Sequence, residues 1–307
     1  MQVAFVVAEI PHQTNVLRSP WWCCAAELAA AGIHIARFDS LAAAWQPFDA
    51  MILMVWLDWD NRTRFRPERI LPVREKFAEY RAAFPSTRQV ALNHVDMGRQ
   101  AYAIPYWRDG DPVLFKTPAY DRSLLAPFPA LDIFAYEYVW GQPCFHSGEI
   151  KYDAGFIGTP SGPAGYRDRV AAATAKVGIG RCAPDRVPKA EHDSLMGECR
   201  IVVCPQGWGE NSGRHWDAWK SSKPVLTDRA CDSVEMIPGL RLREGEHYLV
   251  YDDPAAIPDL VSDWTRPGRR DDLEAIARNG RNAALSYDPA RRMIQFFRAL
   301  PAPAFHE

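Results

Sequence analysis

The chain has 307 residues, of which 48% are hydrophobic and 24% are charged, and its formal net charge is −2. This length suits two domains of ordinary size or one large one, and the composition is that of a globular protein with an ample core. The small net charge gives no indication of a nucleic-acid-binding protein, because such proteins usually carry a basic excess that meets the phosphates. No stretch approaches the ~20 apolar residues of a membrane span, so any membrane contact is expected to be peripheral.

The cysteines indicate a reducing compartment. The chain has 7 of them, scattered without any C-x-x-C spacing. The first residues, MQVAFVVAEI, lack the basic segment of a signal peptide, and their apolar run is too short for one. We therefore expect free thiols in a cytoplasmic protein and no metal centre built on cysteine.

Apolar runs alternate with helical patterns through the first half of the chain. A helix closed by Gly32 follows the first run, and a longer helix is predicted over Glu68–Phe84. Strands alternating with helices predict a doubly wound parallel sheet. The predicted strands are Gln2–Ala8, Ile33–Phe38, Ala50–Leu57 and Gln89–Asn93.

Polar side chains follow these predicted strands at the carboxyl ends, where such sheets bind ligands. His94 and Asp96 come after the strand Gln89–Asn93, and His12 lies in the first loop. A histidine there could take a proton from a hydroxyl group, because its pKa lies close to neutral pH. The alternative is that these histidines cap a helix or satisfy loop carbonyls.

A second sheet is predicted to begin at Lys151. Its first strand breaks into a Gly/Pro loop, and the next helix carries Arg167 and Arg169. One of these arginines could hold a phosphate by bidentate donation, although a solvated helix face is the default for such a pair. The predicted divisions are residues 1–148, with a Pro- and aromatic-rich passage over 101–148, then 149–290, then a terminal helix and tail over 291–307.

The most informative stretch is Glu198–Asp228, which reads ECRIVVCPQGWGENSGRHWDAWKSSKPVLTD. It predicts two short strands that enclose a glycine-rich loop and one helix. Ser212 is a suitable N-cap, which places Arg214 and His215 in the first turn and Asp217 one turn later. A strand, a glycine loop and a helix N-terminus together present free N–H groups and partial positive charge to an anion. A plain βα unit without a ligand is the alternative.

This stretch resembles the donor-binding segment of GT-B-type glycosyltransferases, in particular the exostosin-like and family-1-like group. In that group a Pro/Gly loop leads to Ser, Arg, an aromatic–acid–Ala run and a small–Pro–Val strand. The acid is usually Glu, whereas this chain has Asp. The matching positions here are Ser212, Arg214, Trp216, Asp217, Ala218 and Lys223-Pro224-Val225.

The resemblance implies two Rossmann-like doubly wound α/β domains with a cleft between them. The implied function is metal-independent transfer of a sugar from a nucleotide-sugar to an acceptor hydroxyl, without a further cofactor. The N-terminal half would hold a glycan, lipid-linked or small-molecule acceptor, with His94, Asp96 or His12 as catalytic base. The C-terminal half would hold the donor, through the candidate residues Gly158, Thr159, Arg167, Gln206, Gly207, Trp208, Asn211, Ser212, Gly213, Arg214 and Asp217.

Three alternatives stay open at this point. Two D-x-D triplets, at Asp58–Asp60 and Asp109–Asp111, have the form of the acidic pair with which GT-A enzymes hold a divalent metal. Such short triplets also arise by chance. A nucleotide-sugar epimerase of the same fold and a non-catalytic sugar or nucleotide binder would keep the same donor loop.

Overall fold

The structure is a computed structural model that describes residues 1–8, 24–55, 59–60, 64–65, 70–93, 113–115, 145, 148–160, 165–185, 187–207, 213–232, 236–237 and 240–300. The chain forms two units, Met1–Glu137 with Asp288–Glu307, and Tyr138–Tyr287. The boundaries between the units therefore fall after residues 137 and 287, whereas the sequence predicts domain boundaries after residues 148 and 290.

The first unit contains a five-stranded parallel sheet with the strand order β2-β1-β3-β6-β7. Two further short strands, β4 and β5, pair with each other in antiparallel fashion. Its described elements are β1 (Gln2–Ala8), α1 (Ala25–Ala30), β2 (His34–Phe38), β3 (Ala50–Val55), β4 (Trp59–Asp60), β5 (Arg64–Phe65), α2 (Ile70–Ala83), β6 (Arg88–Asn93), β7 (Val113–Phe115) and α9 (Pro289–Ala299).

Consecutive side chains of the central strands are buried, which requires cover on both faces of the sheet. Residues 3–6 of β1 and 50–52 of β3 are each fully buried. Gly32 ends α1 with a left-handed φ of +76°, and its N–H donates to Ala29. A residue with a Cβ is strained in that conformation, so the glycine closes this helix as predicted.

The second unit contains another five-stranded parallel sheet, with the order β12-β11-β10-β8-β9. The doubly wound parallel sheets predicted from the sequence are therefore confirmed, and the second sheet begins at Tyr152, one residue after the predicted Lys151. Its helices and strands are β8 (Tyr152–Gly158), α3 (Tyr166–Thr174), β9 (Gly178–Cys182), α4 (Lys189–Gly197), β10 (Cys199–Cys204), α5 (Gly213–Lys220), β11 (Val225–Asp228), α6 (Arg229–Asp232), β12 (Leu249–Tyr251), α7 (Ile257–Thr265) and α8 (Arg270–Ser286).

Side chains from one face of this sheet form a continuous core with α3 and α7. Phe156, Val203 and Leu226 from three neighbouring strands pack with Val170 and Val261 from the two helices. Two fully buried tryptophans, Trp216 and Trp219, lie on α5 with ring centroids 6.1 Å apart. The Trp-rich segment of the sequence therefore builds core on this helix.

The sequence also leads to predictions about membrane-spanning segments and about the state of the cysteines. Within the described residues, no helix is long and apolar enough to cross a membrane. The cysteines that the structure describes carry free thiols, namely Cys24, Cys182, Cys199, Cys204 and Cys231. Burial raises the pKa of the Cys199 and Cys204 thiols to about 12, so both are unreactive at neutral pH.

Candidate functional site

The strand order of the second unit identifies where a ligand would bind. The first strand of this unit, β8, lies between β9 on one side and β10 on the other, so the direction of winding reverses between β8 and β10. In open parallel sheets, ligands bind at the carboxyl ends of the two strands that flank such a reversal. Thr159 follows β8 there, and Gln206 and Gly207 follow β10.

Arg214, in the first turn of α5, reaches back to the end of β8. Its Nη2 donates to the carbonyl oxygen of Ile157 at 2.8 Å, and its guanidinium carbon lies 4.8 Å from the ring centroid of Phe156. Among the residues that the structure describes, its buried Nε has no hydrogen-bond partner, and no carboxylate forms a salt bridge with this guanidinium. The side chain is half-buried, and the carbonyl dipole of Ile157 and the face of the Phe156 ring lie against its charge.

Arg167, in the first turn of α3, lies at the same edge of the sheet. Its Nε donates to the carbonyl oxygen of Gln206 at 2.9 Å, and its Nη1 donates to that of Thr159 at 3.3 Å. From the sequence, a solvated helix face is the default for Arg167 and Arg169. For Arg167 this is wrong, because its side chain is buried, whereas Arg169 is exposed as expected. Burial, and then the positive charge of Arg214, lower the pKa of Arg167 to about 10.

The absence of a side chain at Gly158 allows Arg214 to approach this edge. A Cβ at Gly158 would lie 2.8 Å from the Phe156 ring and 3.1 Å from Nη2 of Arg214. Both distances are below ordinary van der Waals separation. Gly158 therefore contributes to the site by leaving room for the guanidinium.

His215 does not serve the site, although it lies in the first turn of α5 beside Arg214. It is fully buried, and its Nε2 lies 2.9 Å from Oγ1 of Thr227. The Thr227 hydroxyl donates its hydrogen to the carbonyl oxygen of Cys204 at 2.8 Å, so the imidazole N–H donates to Thr227. His215 therefore fastens α5 to β11 and is a core residue.

Asp217 lies three residues after Arg214 on α5, as the sequence predicts, and is half-buried. Its Oδ1 lies 3.8 Å from Nζ of Lys220, whose side chain is buried. Gly213 begins the same helix. The role of Asp217 toward a donor stays a prediction.

Several predicted site residues lie outside the described part of the chain, and no metal cluster is found within it. Among the residues that the structure describes, no group of three or more His, Cys, Asp or Glu could hold a metal ion. Asp60 falls on the short strand β4. The candidates outside the described ranges are His12, Asp58, His94, Asp96, Trp208, Asn211, Ser212 and the D-x-D triplet at 109–111.

The sequence reasoning missed a buried carboxylate, Asp228, at the end of β11. Its Oδ2 accepts the backbone N–H of Gln206 at 2.6 Å. The available signal was its position, because Asp228 lies two residues after the apolar run of a predicted strand and thus at the carboxyl edge of the sheet.

Comparison with known proteins places this arrangement in context. A family model described as "Glycosyl transferase-like" matches residues 153–298. No curated protein matches the sequence. Among solved structures, HepE of Anabaena in complex with UDP and glucose has 11% identity and a TM-score of 0.53, with 98% of this chain and 99% of that chain covered.

Two further solved structures are similar over the same extent, with 98% of this chain and 99% of each of theirs covered. Sucrose-phosphate synthase from Thermosynechococcus elongatus has 12% identity and a TM-score of 0.55. T4 phage BGT in complex with its UDP-glucose substrate has 12% identity and a TM-score of 0.53. At such low identity the similarity is one of fold, and it extends over both units.

Proposed function

We propose that this chain, a GT-B-type glycosyltransferase that uses a nucleotide-sugar, binds the diphosphate of its donor at the carboxyl ends of β8 and β10. The observation that carries the proposal is the convergence of Arg167 and Arg214 on carbonyl groups at the end of β8. Two guanidiniums held close together in a partly desolvated place repel each other and are costly. A bound anion with two negative charges removes this cost.

The helix α5 adds a second attraction for the same anion. Its first-turn N–H groups and its partial positive charge lie beside Arg214, because Arg214 belongs to that first turn. Both arginines stay protonated at neutral pH. A diphosphate at this edge would meet charge-assisted donors from the side chains and neutral donors from the backbone.

This arrangement supports transfer without a metal. When the bond between the anomeric carbon and the diphosphate oxygen breaks, negative charge develops on the departing diphosphate. Fixed donors aimed at developing charge stabilise the transition state, which is the task a divalent cation performs in other enzymes. We assign it here to Arg214, Arg167 and the start of α5.

The acceptor belongs, in this proposal, to the first unit. The acceptor hydroxyl attacks the anomeric carbon and gives its proton to a base, for which His94, Asp96 and His12 are the sequence candidates. A glycan, a lipid-linked sugar or a small molecule would supply that hydroxyl. The free thiols of the described cysteines fit a reducing compartment, so we propose that the reaction takes place in the cytoplasm.

Uridine diphosphate is the first nucleotide to test, because HepE and T4 phage BGT were each solved with UDP or UDP-glucose. A thermal-shift panel of UDP, GDP, ADP and dTDP tests the proposal. One of them at 100 times its Kd should add about 2.7 kcal/mol of stability. The matching monophosphate should bind about tenfold more weakly, because it lacks one of the two phosphates.

Two results would contradict this assignment. The first is the absence of stabilisation by all four diphosphates. The second is equal stabilisation by a diphosphate and its monophosphate, because the two arginines would then contribute nothing to recognition. Turnover of a labelled UDP-sugar into a new glycoside would separate a transferase from an epimerase or a non-catalytic binder.

A further inference from the structure

The carboxylate of Asp228 lies at the end of β11 and bonds to the backbone of Gln206, a residue of the proposed diphosphate site. Its side chain is buried at the end of β11. Oδ2 accepts from the backbone N–H of Gln206 at 2.6 Å and from the hydroxyl of Tyr166 at 3.1 Å. Oδ1 accepts from the backbone N–H of Cys231 at 3.1 Å. The carboxylate is therefore well supplied with donors from three separate segments.

Gln206 is held by both of its backbone groups. Asp228 accepts its N–H, and Arg167 donates to its carbonyl oxygen at 2.9 Å. The same guanidinium also donates to Thr159, so the segments that leave β8 and β10 are held in one fixed relation. Any change in the Asp228 carboxylate is therefore transmitted to backbone at the ligand-binding edge of the sheet.

Two tyrosines complete the support of this carboxylate. The hydroxyl oxygens of Tyr166 and Tyr251 lie 3.2 Å apart, and Tyr166 donates to Asp228, so the Tyr251 hydroxyl donates to Tyr166. Burial raises the pKa of both phenols, which therefore keep their protons at neutral pH. Tyr251 therefore donates to Tyr166 and Tyr166 donates to Asp228, and the same carboxylate accepts the backbone N–H of Gln206.

We propose that Asp228 is a positioning residue for the donor, which it serves by fixing the backbone of Gln206, and that Tyr166 acts through Asp228. This inference rests on the proposed diphosphate site. Neither side chain needs to touch the ligand. Loss of either one lets the segment after β10 relax, and the donors aimed at the diphosphate lose their alignment.

The chain offers a matched control for Tyr166. Tyr248 is also a largely buried tyrosine of the second unit, and its hydroxyl donates to a different carboxylate, Oδ1 of Asp232, at 2.6 Å. In the described part of the chain, neither Tyr248 nor Asp232 bonds to Gln206. Tyr166→Phe and Tyr248→Phe therefore remove the same kind of hydrogen bond, but only Tyr166→Phe affects Asp228.

The experiment measures the affinity of UDP for folded wild-type protein and both variants by calorimetric titration. Tyr166→Phe should weaken UDP binding about three- to tenfold, whereas Tyr248→Phe should leave it unchanged, even though both lower the melting temperature. Asp228→Ala should weaken binding more than Tyr166→Phe. Adding Tyr166→Phe to Asp228→Ala should cost no further affinity, because Tyr166 acts only through that carboxylate.

Each outcome decides a different point. Wild-type affinity in folded Tyr166→Phe, or equal losses in Tyr166→Phe and Tyr248→Phe, would overturn the positioning role alone. Additive losses in the double variant would overturn the claim that Tyr166 acts through Asp228. Failure of wild-type protein to bind any of the four diphosphates would overturn the proposed function, and this inference with it. If Asp228→Ala does not fold, the comparison of Tyr166→Phe with Tyr248→Phe still tests the positioning role.

Discussion

Arg214 and Ile157 are 57 residues apart in the chain, yet Nη2 of the arginine donates to the carbonyl oxygen of Ile157 at 2.8 Å. This hydrogen bond fastens the first turn of α5 to the end of β8, on opposite sides of the point where the sheet reverses its winding. The Nε of this guanidinium is buried and has no hydrogen-bond partner among the described residues. A cation held in this way is prepared for an anion.

UDP binding and sugar transfer should not depend on a divalent metal. Affinity in excess EDTA should agree within about twofold with affinity in added Mn²⁺, because Arg214 and Arg167 supply the positive charge. Parallel calorimetric titrations check this. Loss of binding on chelation and its return with Mn²⁺ would favour the alternative site at Asp58 and Asp60.

His192 should make the protein less stable in mild acid. Its Nδ1 lies 3.0 Å from Oδ1 of Asp193, but burial outweighs that favourable partner and lowers the pKa of the imidazole below its usual 6.5. The unfolded chain therefore binds this proton more readily than the folded protein does. Stability is fully present above the unfolded pKa and is lost as the pH falls below about 6.5.

The variant His192→Gln should remove this part of the acid sensitivity. Denaturant unfolding at several pH values should show a shallower loss of stability below pH ~6.5 than in the wild type, by at most about 1.4 kcal/mol per pH unit. His34→Gln, at an exposed position on β2, is the control. Identical slopes for the wild type and His192→Gln would contradict the prediction.

Gly280 allows α8 to pack closely on α5. A Cβ at this position would overlap the Trp219 ring and lie 2.9 Å from the carbonyl oxygen of His247. Gly280→Ala should therefore destabilise the protein by about 1–3 kcal/mol, because the buried tryptophan has no room to move. Gly268→Ala, where a Cβ meets nothing within 4 Å, should change stability by about 0.5 kcal/mol or less. Equal effects in denaturant unfolding would refute the packing argument.

Arg229 should stabilise the folded protein by an amount that decreases as the salt concentration rises. Its guanidinium lies within 2.9–3.0 Å of three carboxylates, those of Asp232, Glu244 and Asp252, and its side chain is 48% exposed. Arg229→Met should cost about 1 kcal/mol at low ionic strength and clearly less in ~1 M NaCl, where charges are screened beyond about 3 Å.

The control for Arg229 is Arg270→Met, which removes a single exposed pair with Glu274 at 3.0 Å. That change should cost only about 0.3–0.5 kcal/mol. Chemical denaturation with urea, an uncharged denaturant, measures both. A salt-independent loss for Arg229→Met would mean that the side chain stabilises by packing instead of charge.

The fold could be predicted from the sequence because its strands are buried on both faces. Gln2–Ala8 forms the predicted strand, and the helix predicted over Glu68–Phe84 is observed over Ile70–Ala83. Continuous apolar runs leave few other structures open. Residues at the ends of helices and strands are less buried, so their hydrophobic pattern is weaker. The predicted bounds therefore differ from the observed ones by a few residues.

The site could be predicted only as far as local sequence determines it. Arg214 lies in a first helical turn as predicted, because a glycine loop before an amphipathic segment specifies where the helix begins. The burial of Arg167 and the bond between Asp228 and Gln206 depend on segments that are 39 and 22 residues apart, respectively. The hydrophobic periodicity of the sequence does not predict such contacts, because they form only when the strands lie side by side in the folded sheet.

The most direct test of the central claim is the affinity of UDP for folded Arg214→Ala. In folded protein we expect a loss of about ten- to a hundredfold, or about 1.5–3 kcal/mol, because a charge-assisted contact to the diphosphate is removed. Arg278→Ala, an exposed arginine on α8, should bind UDP like the wild type. Wild-type affinity in folded Arg214→Ala would contradict the account, because the diphosphate would then bind elsewhere.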